Sequence, residues 1–282
     1  MPADPLPRAG LTIPVARAYM VCMKAQALHR WDVTPAEARE IQLALRERVE
    51  LRDRLPRIRL VAGADAAFLQ PEPRSWERGT GQVIAAVVVY SFPEMEEVER
   101  VTAECPLTFP YVPGLLSFRE IPALAAAFEK LRHAPDVIFC DAHGYAHPRR
   151  FGLACHLGVL LDVPSIGCAK SRLIGTHLEP KREAGSWAPL YDAARNGRAR
   201  GERIGAVLRS ANGVRPIYVS QGHRVSLRTA IRLTLAVCDG RRIPRPTRDA
   251  DRLAGAAKRG ECFPPAPHPH RGGGRLSEST VS

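Results

Sequence analysis

Residues 135–152 have the sequence PDVIFCDAHGYAHPRRFG, in which an apolar run ends at a single aspartate. The run contains β-branched and aromatic residues between Pro135 and Gly144, a composition typical of a buried strand. Asp141 is therefore predicted at the carboxyl end of a strand, where open α/β sheets place their ligand sites. A lone aspartate there would more simply cap a turn. Asp141, however, is followed closely by two histidines and two arginines.

Length and composition favour a folded, basic protein. The chain has 282 residues, 45% of them hydrophobic, which is enough to bury the core of one large domain or two small ones. Its formal net charge is +12. Clustered lysine and arginine gain by displacing counterions from phosphates, so the charge favours a nucleic-acid partner. A genomic bias toward arginine would produce part of the same excess, so the charge alone is weak evidence.

Cysteine usage and hydropathy favour a cytoplasmic protein. The seven cysteines form no CxxC pair, which argues against a zinc knuckle and against a disulfide framework. Most of them lie in apolar runs, as buried free thiols do in a reducing compartment. The longest apolar stretch, residues 83–92, is half as long as the ~20 residues that span a bilayer. The N-terminus lacks the pattern of a secretory signal.

Composition divides the chain into three zones. Residues 1–30 contain proline and alanine without a clear period and are predicted to form an N-terminal extension. Residues 256–282 are rich in proline, histidine, glycine and serine, and they are predicted to form a disordered tail. One folded domain is expected between them, over residues 31–255.

The folded part is predicted to combine an antiparallel meander with parallel units. Its first helix begins after Thr34, which forms a capping-box pattern with Glu37. Strands are expected at residues 59–68, 82–92, 97–105, 135–141, 164–169, 203–208 and 215–220, and later helices at 122–131, 151–161 and 226–239. The alternation that follows the first three strands is the signature of parallel pairing. This order predicts an α/β fold with a ribonuclease H-like mixed sheet flanked by helices.

This layout brings two carboxylates together. Asp65 lies near the middle of the first strand, and Asp141 ends the fourth. The first and fourth strands are neighbours in such a sheet, about 4.8 Å apart, so both carboxylates can reach one divalent ion. Two like charges so close repel one another unless a cation lies between them. Magnesium and manganese prefer oxygen ligands and keep open positions for water and phosphate.

Glu120 is the third candidate carboxylate, and two interpretations compete for it. Residues 117–120, SFRE, fit the capping-box pattern S-x-x-E. Pro122 argues against that pattern, because a proline beyond the first turn removes a helical hydrogen bond. We therefore expect the helix to begin at Pro122, with Glu120 just before it and free to point at the metal.

Four motifs together resemble the endonuclease V family, the deoxyinosine-specific repair nucleases. They are YVPGLLSFRE at 111–120, DAHGYAHPRRFG at 141–152, PSIGCAKS at 164–171 and IYVSQGH at 217–223. The match runs in order over about residues 31–255. The resemblance implies a ribonuclease H-like fold and magnesium as the cofactor, with manganese as a substitute. It also implies hydrolysis of the second phosphodiester bond 3′ to the deaminated base, which leaves a 3′-OH and a 5′-phosphate.

The same resemblance implies roles for individual residues. Asp65, Glu120 and Asp141 would bind the metal, and Lys170 and His223 would be further catalytic residues at the scissile phosphate. Lys170 would add a compact positive charge near the phosphoryl oxygens, and His223 would orient or protonate a group at the scissile phosphate. Without the companion motifs, Lys170 would be a solvated lysine at a strand end and His223 a residue that caps a helix entry.

A second set of residues is implied to contact the lesion. Tyr111, which lies between prolines, resembles the family's wedge that enters the duplex beside the lesion, and a packed surface tyrosine is the alternative. His147 and Arg150 are assigned to phosphate contacts, with a turn histidine and a solvated arginine as the alternatives. The full set expected to contact DNA or the lesion is Tyr111, Pro113, Gly114, Leu115, Leu116, Gly144, His147 and Arg150.

The implied partner is DNA that contains deoxyinosine or another deaminated base, bound by a monomer. Two alternatives stay open. One is the same core acting mainly on inosine in RNA, and the other is a nucleic-acid binder that kept the sheet and lost turnover. Residues 197–203, GRARGER, are interpreted as a basic loop or small insertion that adds a DNA contact.

Overall fold

The computed structural model of the protein describes residues 23–69, 81–192 and 201–261. Most of the predicted N-terminal extension, residues 262–282 of the predicted tail and most of the predicted basic loop at 197–203 lie outside these ranges. Residues 256–258, also assigned to the tail, are helical in the structure, and Ala256 is buried. Residues 23–30, also assigned to the extension, pack on the folded domain. Met23 is buried, and the Gln26 N–H donates to the Leu160 carbonyl.

Within the described ranges, eight strands form one mixed sheet. They are β1 Leu60–Leu69, β2 Gln82–Ser91, β3 Glu97–Pro106, β4 Val137–Cys140, β5 Ser165–Ala169, β6 Trp187–Tyr191, β7 Arg203–Leu208 and β8 Ile217–His223. Their order in the sheet is β3-β2-β1-β4-β5-β8-β7-β6. β1 to β3 form the predicted antiparallel meander, and β4 is parallel to both β1 and β5. The mixed sheet expected from the sequence is confirmed, and the parallel pairing of β1 with β4 positions the functional site.

The sequence patterns do not predict β6. Its sequence, WAPLY, contains Pro189, and a proline within a run argues against a strand. The structure places β6 at the edge of the sheet, where β7 is its neighbouring strand and an isolated bridge joins its last residue, Tyr191, to Thr176. An edge strand needs only half of its backbone groups for the ladder, so it tolerates a proline.

Helices cover both faces of the sheet. They are α1 Pro35–Leu45, α2 Ser117–Glu129, α3 Leu153–Leu161, α4 Leu227–Ala236 and α5 Arg245–Lys258. α2 and α3 bury their apolar residues in one core cluster, whereas α4 and α5 bury theirs in a second cluster on the opposite face. The capping box of α1 is confirmed, because the Glu37 N–H donates to Thr34 Oγ1 and Glu37 Oε2 accepts from the Thr34 N–H. Among the described residues, no helix combines the length and apolar character needed to cross a membrane.

α2 begins at Ser117, so the predicted start at Pro122 is wrong. Pro122 lies inside the helix, where its missing N–H removes one hydrogen bond. The first turn of the helix nevertheless forms because it buries Phe118 and Ile121, each worth about 1.5–3 kcal/mol. The capping-box alternative is also wrong, since the Ser117 side chain caps nothing and contacts the ring of His156. Glu120 therefore lies within the first turn of the helix.

α5 has no counterpart among the predicted elements. It packs across β1 through buried residues that include Ala250 and Ala254. Its first turn contacts the β1 backbone directly, because a Cβ at Gly63 would lie 2.0 Å from the Pro246 carbonyl carbon. This close approach brings the acidic residue in the middle of the helix, Asp251, toward the strand that carries Asp65.

Candidate active site

Three aspartates from different parts of the chain lie together. Asp65 comes from β1, Asp141 directly follows β4, and Asp251 comes from α5. Each offers a carboxylate oxygen, and these oxygens all lie within 4.8 Å of one another. Parallel pairing sets the first two side by side, and the Asp141 N–H donates to the Ala64 carbonyl. A hard divalent cation with oxygen ligands fits such a cluster.

The electrostatics of this cluster favour a cation. Burial and the neighbouring charge of Asp141 raise the pKa of Asp65 to about 8. Burial also raises the pKa of Asp141, although the hydrogen bond from Lys170 opposes that shift. Bringing two buried carboxylates together is unfavourable without a positive charge. The donor set therefore fits Mg²⁺ or Mn²⁺.

Glu120 lies near the aspartates, but it is not part of the group whose carboxylate oxygens all lie within 4.8 Å of one another. Its side chain is buried in the first turn of α2. Burial, and then the charges of Asp65 and Asp141, raise the pKa of Glu120 well above its usual value. Glu120 therefore interacts electrostatically with the pair.

Lys170 places a positive charge beside the aspartates. Its Nζ lies 2.5 Å from Asp141 Oδ2 and 3.1 Å from Asp251 Oδ2. Partial burial opposes the charged form, but the hydrogen bond and charge of Asp141 raise the pKa of Lys170 above its usual value. The backbone here is held by Arg242, whose guanidinium donates to the Lys170 carbonyl. Lys170 is thus a fixed cation beside the carboxylates.

The structure does not bring His223 to this group. The register of β8 against β5 pairs His223 with Ser165, at the start of β5, whereas Lys170 follows the end of that strand. Five residues of extended chain separate these ends, a distance of about 16 Å. The His223 ring accepts from the Glu50 N–H at 3.3 Å and lies 3.9 Å from Asp162 Oδ1. Antiparallel register, which the sequence motif does not reveal, places His223 away from the carboxylates.

The lining of one cavity includes Ala142 and Ser171, which directly follow Asp141 and Lys170 in the chain, and five of the eight predicted lesion-contact residues. These five are Tyr111, Pro113, Gly114, Leu116 and His147. The other lining residues are Gln42, Val112, Ser117, Ala142, His143, Gly152, Leu153, Ser171, Arg172 and Leu173. We call residues 111–116 the wedge loop and residues 147–152 the arginine loop. Tyr111 is 51% exposed, and the Arg119 guanidinium carbon lies 5.7 Å from the centroid of its ring.

Leu115 and Gly144 do not line this cavity. Leu115 is fully buried and packs with Phe118 in a separate apolar cluster. A Cβ at Gly144 would lie 2.1 Å from the Gln221 carbonyl oxygen, so glycine is required there for close packing against β8. The structure therefore gives both residues a packing role.

His147 and Arg150 are engaged within the protein. His147 is 2% exposed, and burial together with the Arg149 charge lowers its pKa to about 3. It is therefore neutral at physiological pH and does not offer a positive charge to a phosphate. The Arg150 guanidinium forms ion pairs with Asp192 and Glu202. The predicted phosphate contacts conflict with these internal partners.

Asp251 and Arg242 are the site residues that sequence reasoning missed. The spacing of the apolar residues Pro246, Ala250 and Leu253 fits a helix and was an available signal for α5. Nothing in that spacing indicates which face of the helix meets β1. The contribution of Asp251 therefore depends on tertiary packing.

We expect the metal-free protein to lose stability as the pH rises toward 8. The folded state raises the pKa of Asp65 from 3.8 to about 8, so it binds more protons than the unfolded chain between these values. The free energy of unfolding therefore falls with pH across this range. In EDTA, raising the pH from 5.5 to 8 should lower the Tm of wild type relative to that of Asp65→Asn by about 3 °C or more. Comparing the two proteins cancels the contribution of buried histidines, and a difference that does not change with pH would contradict the expectation.

Comparisons with known proteins agree with this geometry. The Endonuclease V family model matches residues 43–252. An endonuclease V from a Roseiflexus species is 49% identical over 224 residues, which cover 79% of this chain and 93% of the relative. The crystal structure of endonuclease V from Streptomyces avermitilis matches with a TM-score of 0.72 and 41% identity, over 85% of this chain and 99% of that one.

A further solved relative contains nucleic acid. It is Ciona intestinalis endonuclease V in complex with a 24mer DNA containing an inosine followed by a ribo-adenosine. It matches with a TM-score of 0.65 and 28% identity, over 80% of this chain and 98% of that one. The solved relatives confirm the ribonuclease H-like fold expected from the sequence. The chain therefore belongs to the endonuclease V family.

Proposed function

We propose that this protein is a magnesium-dependent DNA repair endonuclease that recognises deoxyinosine and other deaminated bases. It hydrolyses the second phosphodiester bond 3′ to the lesion and leaves a 3′-OH and a 5′-phosphate. The observation that carries the proposal is the cluster of Asp65, Asp141 and Asp251, with a cavity lined by the wedge loop and by Ala142, the residue after Asp141. The inosine-containing DNA bound to the Ciona intestinalis relative supports the substrate class.

The carboxylates hold the cofactor in this proposal. Asp65, Asp141 and Asp251 are the ligands, and Glu120 adds a buried acidic group close to the first two. When bound, Mg²⁺, or Mn²⁺ as a substitute, stabilises charge on the phosphoryl oxygens and activates water. The oxygen-only donor set favours these hard cations over softer ones.

In this proposal, Lys170 places its positive charge directly at the scissile phosphate. Its ammonium group stays protonated at physiological pH, because the Asp141 carboxylate raises the pKa of the lysine. Asp141 and Asp251 hold this charge in place, 2.5 Å and 3.1 Å from their oxygens. A preorganised cation there stabilises the negative charge that develops during hydrolysis. The proposed catalytic set excludes His223, because β8 places its ring at the other end of β5.

The wedge loop and the cavity recognise the lesion. Tyr111 enters the duplex beside the lesion, and Pro113 limits the conformational freedom of the loop that presents it. Unstacking and extruding a base cost a few kcal/mol, which contacts within the cavity must offset. Gly114 and neutral His147 line this cavity, and neither places a charge against an extruded base.

Assembly and location complete the proposal. One chain supplies every residue of the site, so the enzyme acts as a monomer. Five cysteines within the described residues are free thiols, which supports a cytoplasmic location.

A nicking assay tests the proposed function. The substrate is an end-labelled duplex with one deoxyinosine, and the control duplex has deoxyadenosine at that position. We expect a single nick at the second bond 3′ to deoxyinosine with Mg²⁺, no nick in EDTA, and no nick in the control duplex. RNA of the same sequence with one inosine should be cleaved at least about tenfold more slowly. Cleavage of the RNA alone would indicate a ribonuclease, and binding without a nick would indicate a non-catalytic binder.

A further inference from the structure

Gln42 is a buried polar residue of α1 that lies outside the proposed catalytic set. Its side chain is almost fully buried, at 1% exposure. Its Nε2 donates to the carbonyl oxygens of Gly114 and Phe151, each at 3.1 Å. Its Oε1 accepts from Arg149 Nε at 2.5 Å. Two carbonyl acceptors and one guanidinium donor determine the orientation of the amide, because the opposite orientation would face each partner with the wrong group.

The Gly114 carbonyl, in the wedge loop, is the centre of this junction. Besides Gln42, it accepts from His147 Nε2 at 2.9 Å and from Arg149 Nη2 at 2.8 Å. The Arg149 N–H donates to His147 Nδ1, so His147 carries its proton on Nε2, as this arrangement requires. Gly114 has a φ of +79°, and a Cβ there would lie 2.9 Å from Arg149 Nη2. A glycine at 114 therefore allows both the turn and the close approach of the arginine.

These hydrogen bonds connect three separate segments of the chain. Gly114 belongs to the wedge loop, Arg149 and Phe151 belong to the arginine loop, and Gln42 joins both loops to α1. Both loops line the same cavity, and so does Gln42 itself. The amide of Gln42 therefore bonds to both loops that line this cavity.

We propose that Gln42 is a positioning residue that holds the wedge loop against the arginine loop and so sets the shape of the pocket for the extruded base. This inference rests on the proposed function. Without the amide, the Phe151 carbonyl and the Arg149 Nε–H lose a buried partner, and the Gly114 carbonyl keeps its bonds from His147 and Arg149. Both loops then lose their connection to α1, so they must shift or admit water. Gln42 has no contact with Asp65, Asp141 or Lys170 among its hydrogen bonds. Its loss should therefore weaken binding of the base and spare the hydrolytic step.

The test compares Gln42→Leu with a matched control. Leucine keeps about the same volume and removes every hydrogen bond of the amide. The control is Glu99→Gln, because Glu99 is also buried and accepts from the backbone N–H groups of Arg132 and His133, which follow α2. Both variants lose buried hydrogen bonds, and both should lower the Tm. A second variant, Gln42→Glu, keeps an acceptor for Arg149 but cannot donate to Gly114 or Phe151.

For the deoxyinosine duplex, we expect both Gln42 variants to raise KM about tenfold and to keep kcat within about twofold of wild type. Fluorescence of 2-aminopurine beside the lesion, measured in EDTA, should rise less than with wild type, because fewer bases are extruded. Glu99→Gln should leave KM and this fluorescence unchanged. An unchanged KM in Gln42→Glu, a fall confined to kcat, or an equal rise of KM in Glu99→Gln would overturn the inference. If wild type nicks no deoxyinosine DNA, the proposed function itself fails.

Discussion

Asp141→Asn is expected to abolish nicking and to spare binding of deoxyinosine DNA. Asparagine keeps the size of the side chain but removes the charge that faces Asp65 and Lys170. The cation would lose a charged ligand, so single-turnover nicking at saturating DNA should fall by about 1000-fold or more. The dissociation constant for the duplex in EDTA should stay within about threefold of the wild-type value, since the pocket is unchanged.

Two controls distinguish this loss from misfolding. Asparagine at 141 also removes a charge that raises the pKa of Asp65. The Tm of Asp141→Asn in EDTA should therefore equal or exceed that of wild type at pH 8. Glu129→Gln removes the same charge at an exposed position at the far end of α2 and should nick normally. Substantial nicking by Asp141→Asn would contradict the role assigned to this carboxylate.

Asp251→Asn should have the second-largest effect and should increase the metal requirement. Asp251 approaches the other two aspartates from α5 and is more exposed than they are. Replacing a charged carboxylate ligand with a neutral amide oxygen weakens a divalent site without removing it, so nicking at 1 mM Mg²⁺ should fall by about 100-fold. A titration with Mg²⁺ or Mn²⁺ should recover part of the activity at high concentration. An unchanged metal titration would show that Asp251 is not a ligand.

The pairing of Asp65 with Asp141 was predictable because it depends on strand order. Apolar runs identify the strands, and alternation of strands with helices indicates parallel pairing. That order resembles a ribonuclease H-like sheet, in which the first and fourth strands are neighbours, and the structure shows β1 beside β4. These steps use the hydrophobic periodicity and the order of the elements, both of which can be read from a single sequence.

The positions of Asp251 and His223 depend on tertiary packing and strand register, which are difficult to read from a sequence. Asp251 joins the cluster because α5 packs on Gly63, a contact between distant parts of the chain. His223 is the last residue of a motif that resembles the family, but its position depends on the antiparallel register of β8 against β5. Register depends on packing across the whole sheet and on bulges, such as the shift between Ser165 and Ile166.

The prediction for α2 failed for a different reason. Pro122 is a local signal that a helix begins, whereas burial of Phe118 and Ile121 extends the helix in front of it. Local propensity is a weak constraint when tertiary burial opposes it. The ion pairs of Arg150 could not be predicted from local sequence either, since its acidic partners are more than 40 positions away.

Anomalous diffraction from crystals soaked in Mn²⁺ is the most direct test of the carboxylate site. Manganese can be identified by its own absorption edge, so its position does not depend on the activity of the enzyme. We expect a peak within about 2.0–2.6 Å of oxygens from Asp65, Asp141 and Asp251, with the ammonium group of Lys170 displaced from at least one aspartate. A soak that leaves no peak among these aspartates, with Lys170 still paired to both Asp141 and Asp251, would contradict the assignment of a metal-dependent nuclease site.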